Sequence, residues 1–412
     1  MFKDIIGTVG ARYLVAFLNL LLIFINGKVL GREGMGVVGV IYASANLAVI
    51  FNSIFCGNTI VYFMNKYNFR YVFYPAYIWS LVGSFVSCGI MAVFGMLPAG
   101  YELAVFSLAI LISLTTANSM FLLGKDRVKG FNVMFIIQGI SMFLMIIFIY
   151  YIVDYKNVNG YITGLFTAYF IAFVYSWVLL LPIFGNLIDN KADKSLSEIL
   201  KEMSIYGLWS SVDNLAEGLT TRLNYFLIQH SGGYKNVGLL DSGTKISESV
   251  WHISNSISFL EYKEVSKTLD REVQKNITLR LFRLTFCALT VVMLAIVSIP
   301  EWIYTSYLLN SEFVGIRTII LGLSVGIIAF GSNRILSHYF IGSGQVKYSA
   351  YCSITGLVVL LISGFILIPK YGVSGAAIAA SAAYSCMLLF SILVFMKQTD
   401  TKFREFFSNS FR

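Results

Sequence analysis

The feature that most constrains this chain is a succession of twelve apolar segments, each 21 to 29 residues long, separated by short polar stretches. About 20 apolar residues are enough to cross the hydrocarbon core of a bilayer as a helix. The segments therefore predict an all-α polytopic membrane protein with about twelve transmembrane helices. They cover residues 5–29, 36–64, 72–97, 103–124, 131–153, 161–184, 204–230, 237–262, 278–299, 315–341, 348–368 and 374–396.

The composition excludes the other fold classes. Hydrophobic residues make up 57% of the chain and charged residues 12%, against roughly 45–50% and about 25% in a soluble domain. Twelve spans use about 240 residues, which leaves short loops and no room for a folded soluble domain. The first apolar stretch is too long for a signal peptide, so we interpret it as an uncleaved span.

The distribution of Lys and Arg predicts the orientation. Of the 30 Lys and Arg residues, 20 lie on one set of alternating loops and termini, 5 lie on the other set, and 5 lie within or at the edge of spans. Cytoplasmic loops carry the excess of Lys and Arg, so both termini are expected in the cytoplasm. The net charge of +9 reflects this bias, and no loop has the dense basic run of a nucleic-acid-binding protein.

The longest inner loop suggests how the chain divides. We expect an N-terminal six-helix bundle over 1–184, a cytoplasmic linker over 185–203, a C-terminal six-helix bundle over 204–396 and a cytoplasmic tail over 397–412. The linker is either a plain connection or an amphipathic segment on the membrane surface, since four apolar residues share one helical face. They are Leu196, Ile199, Leu200 and Met203.

A faint internal echo suggests a parallel repeat of the two halves. Val38-Gly39 opens the second span, and Asn52-Ser53-Ile54 lies further along it. Val237-Gly238 and Asn255-Ser256-Ile257 stand similarly in the eighth span.

Motifs for soluble catalysis do not fit. Gly34 to Gly39 matches the letters of a dinucleotide fingerprint, but no soluble strand precedes it and a transmembrane segment follows. There is no P-loop, and the three histidines lack the spacing of a metal site. We therefore expect no metal, no cofactor and no enzymatic activity.

The informative residues are polar groups inside spans, because a charge at the bilayer centre usually faces a cavity or a partner. The eighth span carries a stripe that is either an internally paired ladder holding helices together or one wall of an aqueous cavity. The stripe consists of Asp241, Lys245, Glu248, His252 and Asn255.

Three other spans carry similar groups. Thr8, Arg12, Asn19 and Asn26 share a face of the first span, and Asp213, Glu217, Thr220 and Asn224 share a face of the seventh. The tenth span contains Ser332-Asn333-Arg334, followed by Ser337 and His338. Arg222 lies about 180° from Asp213 around the seventh span, at 100° per residue.

The depths of the cations suggest two levels. Arg12 and Arg334 each lie about 10 Å from an inner helix end at about 1.5 Å per residue, whereas Arg222 and Lys245 lie nearer outer ends. This arrangement suits an anionic group passed from one side to the other. Snorkelling to the nearest interface is the competing explanation.

Three stretches together resemble one known family. Leu30 to Gly36 resembles the G-x-E-G-x-G turn of polysaccharide flippases, and 222–267, with Trp251 and Val265-Ser266-Lys267, resembles their seventh and eighth helices. Ile368 to Ala377 resembles their I-P-x-Y-G-x-x-G-A-A entry to the last helix. Two departures are the missing glycine before Glu312-Phe313 and Thr221, where the family often has an acidic residue.

The chain is thus similar to the Wzx-type O-antigen and exopolysaccharide repeat-unit flippases, in the superfamily of multidrug antiporters and the lipid II flippase. The resemblance implies two six-helix bundles around a central cavity, alternating access and transport of undecaprenyl-diphosphate-linked sugars across the bacterial inner membrane. A polysaccharide polymerase and a chain-length regulator are candidate partners, and we expect a monomer in the lipid bilayer.

These expectations give the polar residues roles. Guanidinium groups bind phosphates through paired, charge-assisted hydrogen bonds, so the cations are candidates for the diphosphate headgroup, the carboxylates for coupling to H⁺ or Na⁺, and the amides for sugar hydroxyls. These sets are, in turn, Arg12, Arg222, Lys245 and Arg334; Asp213, Glu217, Asp241 and Glu248; and Asn19, Asn26 and Asn255. The alternatives are a multidrug antiporter of the same superfamily and a polytopic membrane enzyme of polysaccharide assembly.

Overall fold

The computed structural model describes residues 2–64, 66–185, 195–267 and 270–406. These residues form helices, short π- and 3-10 turns and connecting loops, and they contain no β-strand. The helices are α1 (Phe2–Asn52), α2 (Asn58–Met64), α3 (Phe69–Val93), α4 (Glu102–Gly124), α5 (Val128–Ile147), α6 (Val158–Gly185), α7 (Leu196–Glu248), α8 (Trp251–Lys267), α9 (Arg271–Ser298), α10 (Glu301–Ile303), α11 (Ile316–Gly342) and α12 (Val346–Thr399).

Three of these helices are twice the length of a membrane span, and each is interrupted by one glycine with a non-helical backbone. The glycines are Gly31 (φ 66°, ψ −175°), Gly233 (φ 68°, ψ −179°) and Gly372 (φ 55°, ψ −129°). Their positive φ values favour glycine, and each turn falls between two predicted spans. The predicted all-α membrane fold with twelve spans is confirmed.

Among the described residues, eight helices are long and apolar enough to cross a membrane by length and composition. α1 and α12 are each counted once in that number, although each is kinked and covers all or most of two predicted spans. α7 and α8 are not among the eight, and these are the helices that carry the polar stripe.

The chain divides into two compact units. Unit 1 comprises Met1–Leu30 and Val37–Gly218, and unit 2 comprises Gly31–Gly36 and Leu219–Arg412. The short turn 31–36 therefore belongs to unit 2, although α1 on both sides of it belongs to unit 1. The linker residues 186–194 lie outside the described residues, and residues 196–203 form the first two turns of α7.

Each unit is built around one buried helix. In unit 1, α4 packs on α2, α3 and α6; in unit 2, α11 packs on α8, α9 and α12. α4 and α11 are each 67% buried over their most apolar stretch, whereas the other candidate spans range from 22% to 39%. These two helices are the fourth and tenth spans, so the same member of each half occupies the centre, as a parallel repeat predicts.

The second span of each half is also interrupted. α1 ends at Asn52 and α2 begins at Asn58; in the other half α7 ends at Glu248 and α8 begins at Trp251. The turns at Gly31 and Gly233 are related by 202 residues, and so are Gly36 and Gly238. The structural repeat therefore runs three residues out of register with the Val38–Val237 correspondence expected from sequence.

Candidate functional site

A paired ionic contact in unit 2 joins two parts of α7 that lie on opposite sides of the Gly233 turn. Arg222 donates from Nη1 to Glu248 Oε1 at 3.0 Å and from Nη2 to Glu248 Oε2 at 2.8 Å. The paired geometry matches the planar fork of a guanidinium to a carboxylate. The two side chains are only 20% and 13% exposed, so solvent screens this pair weakly.

A second ion pair lies one to two turns away on the same helix. Lys245 Nζ donates to Asp241 Oδ2 at 2.8 Å, and the Asp241 side chain is 1% exposed. The spacing of four residues places both groups on one helical face. The other carboxylate oxygen of Asp241, Oδ1, is buried without a hydrogen-bond partner among the described residues, so it is an acceptor still open to a donor.

The predicted ladder of Asp241, Lys245 and Glu248 is therefore split into two pairs. Lys245 pairs with Asp241 as the spacing suggested. Glu248 pairs with Arg222 from the preceding span. The contacts cross the polar stripe rather than only running along it, so these pairs both fix the two spans against each other and hold four charges at one place.

Tyrosine hydroxyls complete this cluster. Arg222 Nη1 also donates to the Tyr225 hydroxyl at 3.3 Å, and the Tyr225 side chain is buried. Tyr384 of α12 lies within electrostatic range of Arg222. Its ring also packs against Trp251 and Phe330, at centroid distances of 5.9 Å and 4.9 Å. Tyr384 thus connects the ion pairs with an aromatic group at the start of α8.

Arg334 lies on this aromatic group. Its guanidinium carbon is 5.2 Å from the Phe330 ring centroid and 5.9 Å from that of Trp251. The Trp251 indole is fixed in turn, because its Nε1 donates to the Ile327 carbonyl at 2.9 Å. Aromatic faces attract a cation without neutralising it, so the Phe330 and Trp251 rings form a platform that positions the Arg334 guanidinium.

Asn255 lies one turn beyond Trp251 on α8. Its Oδ1 is buried and has no hydrogen-bond partner among the described residues. Buried acceptors are nearly always paired with protein or water. Asn255 Oδ1 and Asp241 Oδ1 are therefore two open acceptors on the polar face of unit 2.

The remaining predicted residues belong to unit 1. Asn26 is buried in unit 1, where it accepts a hydrogen bond from Tyr150 at 3.0 Å, so its carbonyl oxygen is already used. Asn19 is exposed on α1, and the side chain of Arg12 lies outside the described residues. Asp213 and Glu217 are half-buried in the part of α7 that belongs to unit 1.

Sequence reasoning missed one buried acid. Glu261 of α8 is 0% exposed, accepts a hydrogen bond from Thr278 at 2.8 Å, and leaves Oε2 without a partner among the described residues. It also lies near Tyr339 of α11. Because it lies near the end of the eighth predicted span, it was interpreted as a charge close to a loop. The sequence did offer one indication of its burial: the residues one turn away on the same helical face, Ser258 before it and Val265 after it, are small or apolar.

The cluster has an excess of cations. Arg222, Lys245 and Arg334 oppose Asp241 and Glu248, so three cations and two carboxylates leave one net positive charge. In the described part of the chain, no three His, Cys, Asp or Glu side chains come together as a metal-binding group. The chemistry within reach is recognition of an anion that also offers hydroxyl donors.

Solved structures resemble the whole chain in fold. An inward-facing multidrug resistance MATE family transporter of the MOP superfamily matches 95% of this chain over 98% of its own, with 15% identity and a TM-score of 0.71. The lipid II flippase MurJ, in an inward closed conformation, matches 99% of this chain over 89% of its own, with 13% identity and a TM-score of 0.73. A MATE in complex with MaL6 matches 97% of this chain over 96% of its own, with 16% identity and a TM-score of 0.66.

Sequence comparison adds nothing to this likeness. No family model matches the chain, and no curated protein matches it. The chain therefore shares the fold of these transporters and of this flippase.

Proposed function

We propose that this protein is a flippase that moves undecaprenyl-diphosphate-linked oligosaccharide repeat units across the bacterial inner membrane by alternating access, with H⁺ or Na⁺ as the coupling ion. The observation that carries the proposal is the cationic excess of the unit 2 cluster. A diphosphate is a strong anion, and guanidinium groups match its oxygens geometrically. One of the proteins with this fold is a lipid II flippase.

The contacts suggest how the cations divide the work. Arg334 lies on the Phe330 and Trp251 rings, where its guanidinium can bind a phosphate through paired hydrogen bonds. Arg222 and Lys245 are held by Glu248 and Asp241, so a phosphate would compete with these carboxylates. Protonation or Na⁺ binding at either carboxylate would release the cation, which couples the ion to the headgroup.

The open acceptors suit the sugar. Asp241 Oδ1 and Asn255 Oδ1 can each accept a hydroxyl hydrogen bond that the protein does not supply. A saccharide carries many such donors. The same two atoms would be poorly used by a purely apolar cargo.

The test is export of surface polysaccharide in a complemented deletion strain. We predict that Arg334→Ala lowers export at least about tenfold, because a charge-assisted hydrogen bond is lost, with protein abundance near normal. Arg334→Lys should rescue only in part, because an ammonium lacks the planar fork. Arg12→Ala is expected to behave in the same way.

The control is Arg317→Ala. Arg317 is exposed on the first turn of α11 and donates a long, 3.4 Å bond to the Val297 carbonyl, so export should persist. Normal export in Arg334→Ala and Arg12→Ala would remove the headgroup assignment. Normal export in the deletion strain itself would overturn the flippase proposal.

A multidrug antiporter is the second candidate. Carboxylates beside aromatic rings can bind organic cations, and Asp241 and Glu248 lie near Tyr225. In this structure a cation already occupies each of those carboxylates, which favours the flippase. Drug susceptibility of the deletion strain separates the two, since an antiporter predicts increased sensitivity with unchanged polysaccharide.

A further inference from the structure

Unit 1 carries a groove that the proposed transport reaction does not use. It has a volume of about 630 Å³ and lies between the first three turns of α3 and the first two turns of α7. Ligand sites usually occupy about 300–1,000 Å³, so the groove has the size of a binding site for one molecule or one long chain.

One wall of the groove changes character along its length. Arg70, Tyr74 and Ile78 line it, and their spacing of four residues puts them in a row along one face of α3. The row covers about 12 Å at 1.5 Å per residue. It runs from a cation through an amphipathic aromatic ring to an aliphatic side chain. A phospholipid changes in the same order, from its charged headgroup to its acyl chains.

The opposite wall is apolar and firmly held. Leu196 and Leu200 of α7 line the groove. Ile199 and Met203, on the adjacent side of the same apolar face, are 0% exposed in the core of unit 1. Because Ile199 and Met203 are packed in the core, Leu196 and Leu200 are held against the groove. The apolar pattern predicted for this segment thus supplies both the core contact and the groove wall.

The polar end of the groove is ready for an anion. The Arg70 guanidinium is exposed and makes no hydrogen bond or ion pair with another described residue. The neighbouring Lys66, by contrast, pairs with Glu202 at 2.6 Å. Arg70 is also in the first turn of α3, which Asn68 caps, and a helix N-terminus attracts negative charge.

We propose that this groove binds one anionic glycerophospholipid, with its phosphate on Arg70 and an acyl chain running past Tyr74 and Ile78. The Lys and Arg count places this end of α3 at the cytoplasmic face, whose leaflet supplies anionic headgroups. A single phosphodiester matches the single cation. A lipid diphosphate would bring further negative charge to a site with one guanidinium, so the substrate of the proposed transport is the poorer fit.

The experiment uses the full-length protein purified in a nonionic detergent and stripped of lipid. Phosphatidylglycerol binding is measured by native mass spectrometry, with phosphatidylcholine and inorganic phosphate as comparison ligands. We expect phosphatidylglycerol to bind more tightly than phosphatidylcholine, and inorganic phosphate not to bind measurably. Arg70→Gln should weaken phosphatidylglycerol binding about tenfold, the effect of losing one charge-assisted contact.

Two further variants separate the anion contact from the chain contact. Lys129→Gln removes one exposed charge on the same predicted side and lies outside the groove, so it should bind phosphatidylglycerol like the wild type. Ile78→Trp should weaken binding of both phospholipids by filling the groove. Ile78 is 60% exposed, so this variant should melt like the wild type without lipid, which shows that it folds.

Several results would overturn the proposal. Equal weakening by Arg70→Gln and Lys129→Gln would mean a diffuse charge effect, and equal binding of both phospholipids would mean no anion site. Binding of inorganic phosphate as tight as that of the lipid would assign the site to a free anion. Displacement of phosphatidylglycerol by a lower concentration of a polyprenyl diphosphate would assign the groove to the transport substrate.

Discussion

The two glycine turns of unit 2 approach each other closely through their backbones, and a single added methyl group tests this contact. A Cβ on Gly36 would lie 1.8 Å from the Tyr234 carbonyl oxygen, and a Cβ on Gly238 would lie 1.8 Å from the Arg32 carbonyl oxygen. Ordinary contact begins at 3.4 Å, so Gly36→Ala forces the segments 1.6 Å apart. We predict that this substitution strongly destabilises unit 2.

The magnitude follows from the bonds that this shift breaks. Arg32 Nε donates to the Lys235 carbonyl at 2.6 Å, and Nη2 donates to Asn236 Oδ1 at 2.8 Å. Lengthening by 1.6 Å takes both beyond hydrogen-bond range. Bonds from a charged donor contribute about 1.5–3 kcal/mol each, and Arg32 is half-exposed, so we expect a loss of about 3 kcal/mol for the two. That corresponds to a Tm lower by about 6–12 °C if unit 2 melts as a unit.

The assay is thermal unfolding of the purified protein in detergent. Gly89→Ala is the matched control, because a Cβ there meets nothing within 4 Å and alanine favours a helix interior by about 1 kcal/mol. Arg32→Ala should lower Tm by a similar amount to Gly36→Ala, and the double variant should add little because both remove the same bonds. A Gly36→Ala melt that coincides with the wild type, or full additivity with Arg32→Ala, would refute this account.

Three further predictions rest on single contacts or on the charge count. Asp241→Asn should lower stability by about 2 kcal/mol because it breaks a largely buried ion pair, whereas Glu261→Gln should melt at or above the wild-type temperature because that carboxyl has no ion pair among the described residues; the reverse order in thermal unfolding would contradict both. Alkaline phosphatase fused after Lys397 should be inactive and a fusion near Asn157 active, and the opposite pattern would invert the topology. The Lys402 backbone N–H, 2.8 Å from Glu405, and Lys275, 3.5 Å away, hold the pKa of the Glu405 carboxyl below its usual value. The folded pKa is therefore the lower one, so this contact stabilises the chain above the ordinary Glu pKa of about 4.3 and is lost as pH falls through the folded pKa; Glu405→Gln should flatten that acid limb of the melting curve.

The cysteine-labelling expectation is sharpened by the burial of the stripe. Cysteines at Lys245, Glu248 and His252 should react with an impermeant thiol reagent in a background without native cysteines, because these positions are partly exposed. Asp241 is 0% exposed, so a cysteine there should react more slowly than the sequence alone suggests. Ile246, 4% exposed, is the unreactive control, and equal labelling of Lys245→Cys and Ile246→Cys would remove the stripe.

The number of spans and the composition of the stripe were predictable because both are local. Hydropathy reports the apolar length that a bilayer requires, and 100° per residue reports which side chains share a face. The ends of the helices were harder to predict from the sequence. α9 begins at Arg271, seven residues before the predicted segment, because its first turns contain charged and polar residues such as the buried Gln274, which a hydropathy scan assigns to a loop.

Pairing across turns was beyond the sequence. Arg222 lies on the far side of its helix from Asp213, which left it without an evident partner along α7. The partner is Glu248, 26 residues on, brought back by the Gly233 turn. Helix periodicity gives the direction of a side chain around its own axis but not the neighbour that the next helix brings to that side. The one indication in the sequence was that an arginine inside a span needs a partner, and α7 showed none near Arg222.

The interrupted second span carries a different kind of polar contact in each half. In unit 1 the contacts of Asn52 join neutral groups: Asn52 donates to Ser84 and Ser113 at 2.8 Å and 2.7 Å. Unit 2 instead places the Arg222–Glu248 ion pair beside its own interrupted span. Neutral hydrogen bonds respond little to protons or salt, whereas paired charges respond strongly. Sensitivity to pH or Na⁺ should therefore follow substitutions in the unit 2 cluster, and Asn52→Ala should change stability without changing that sensitivity.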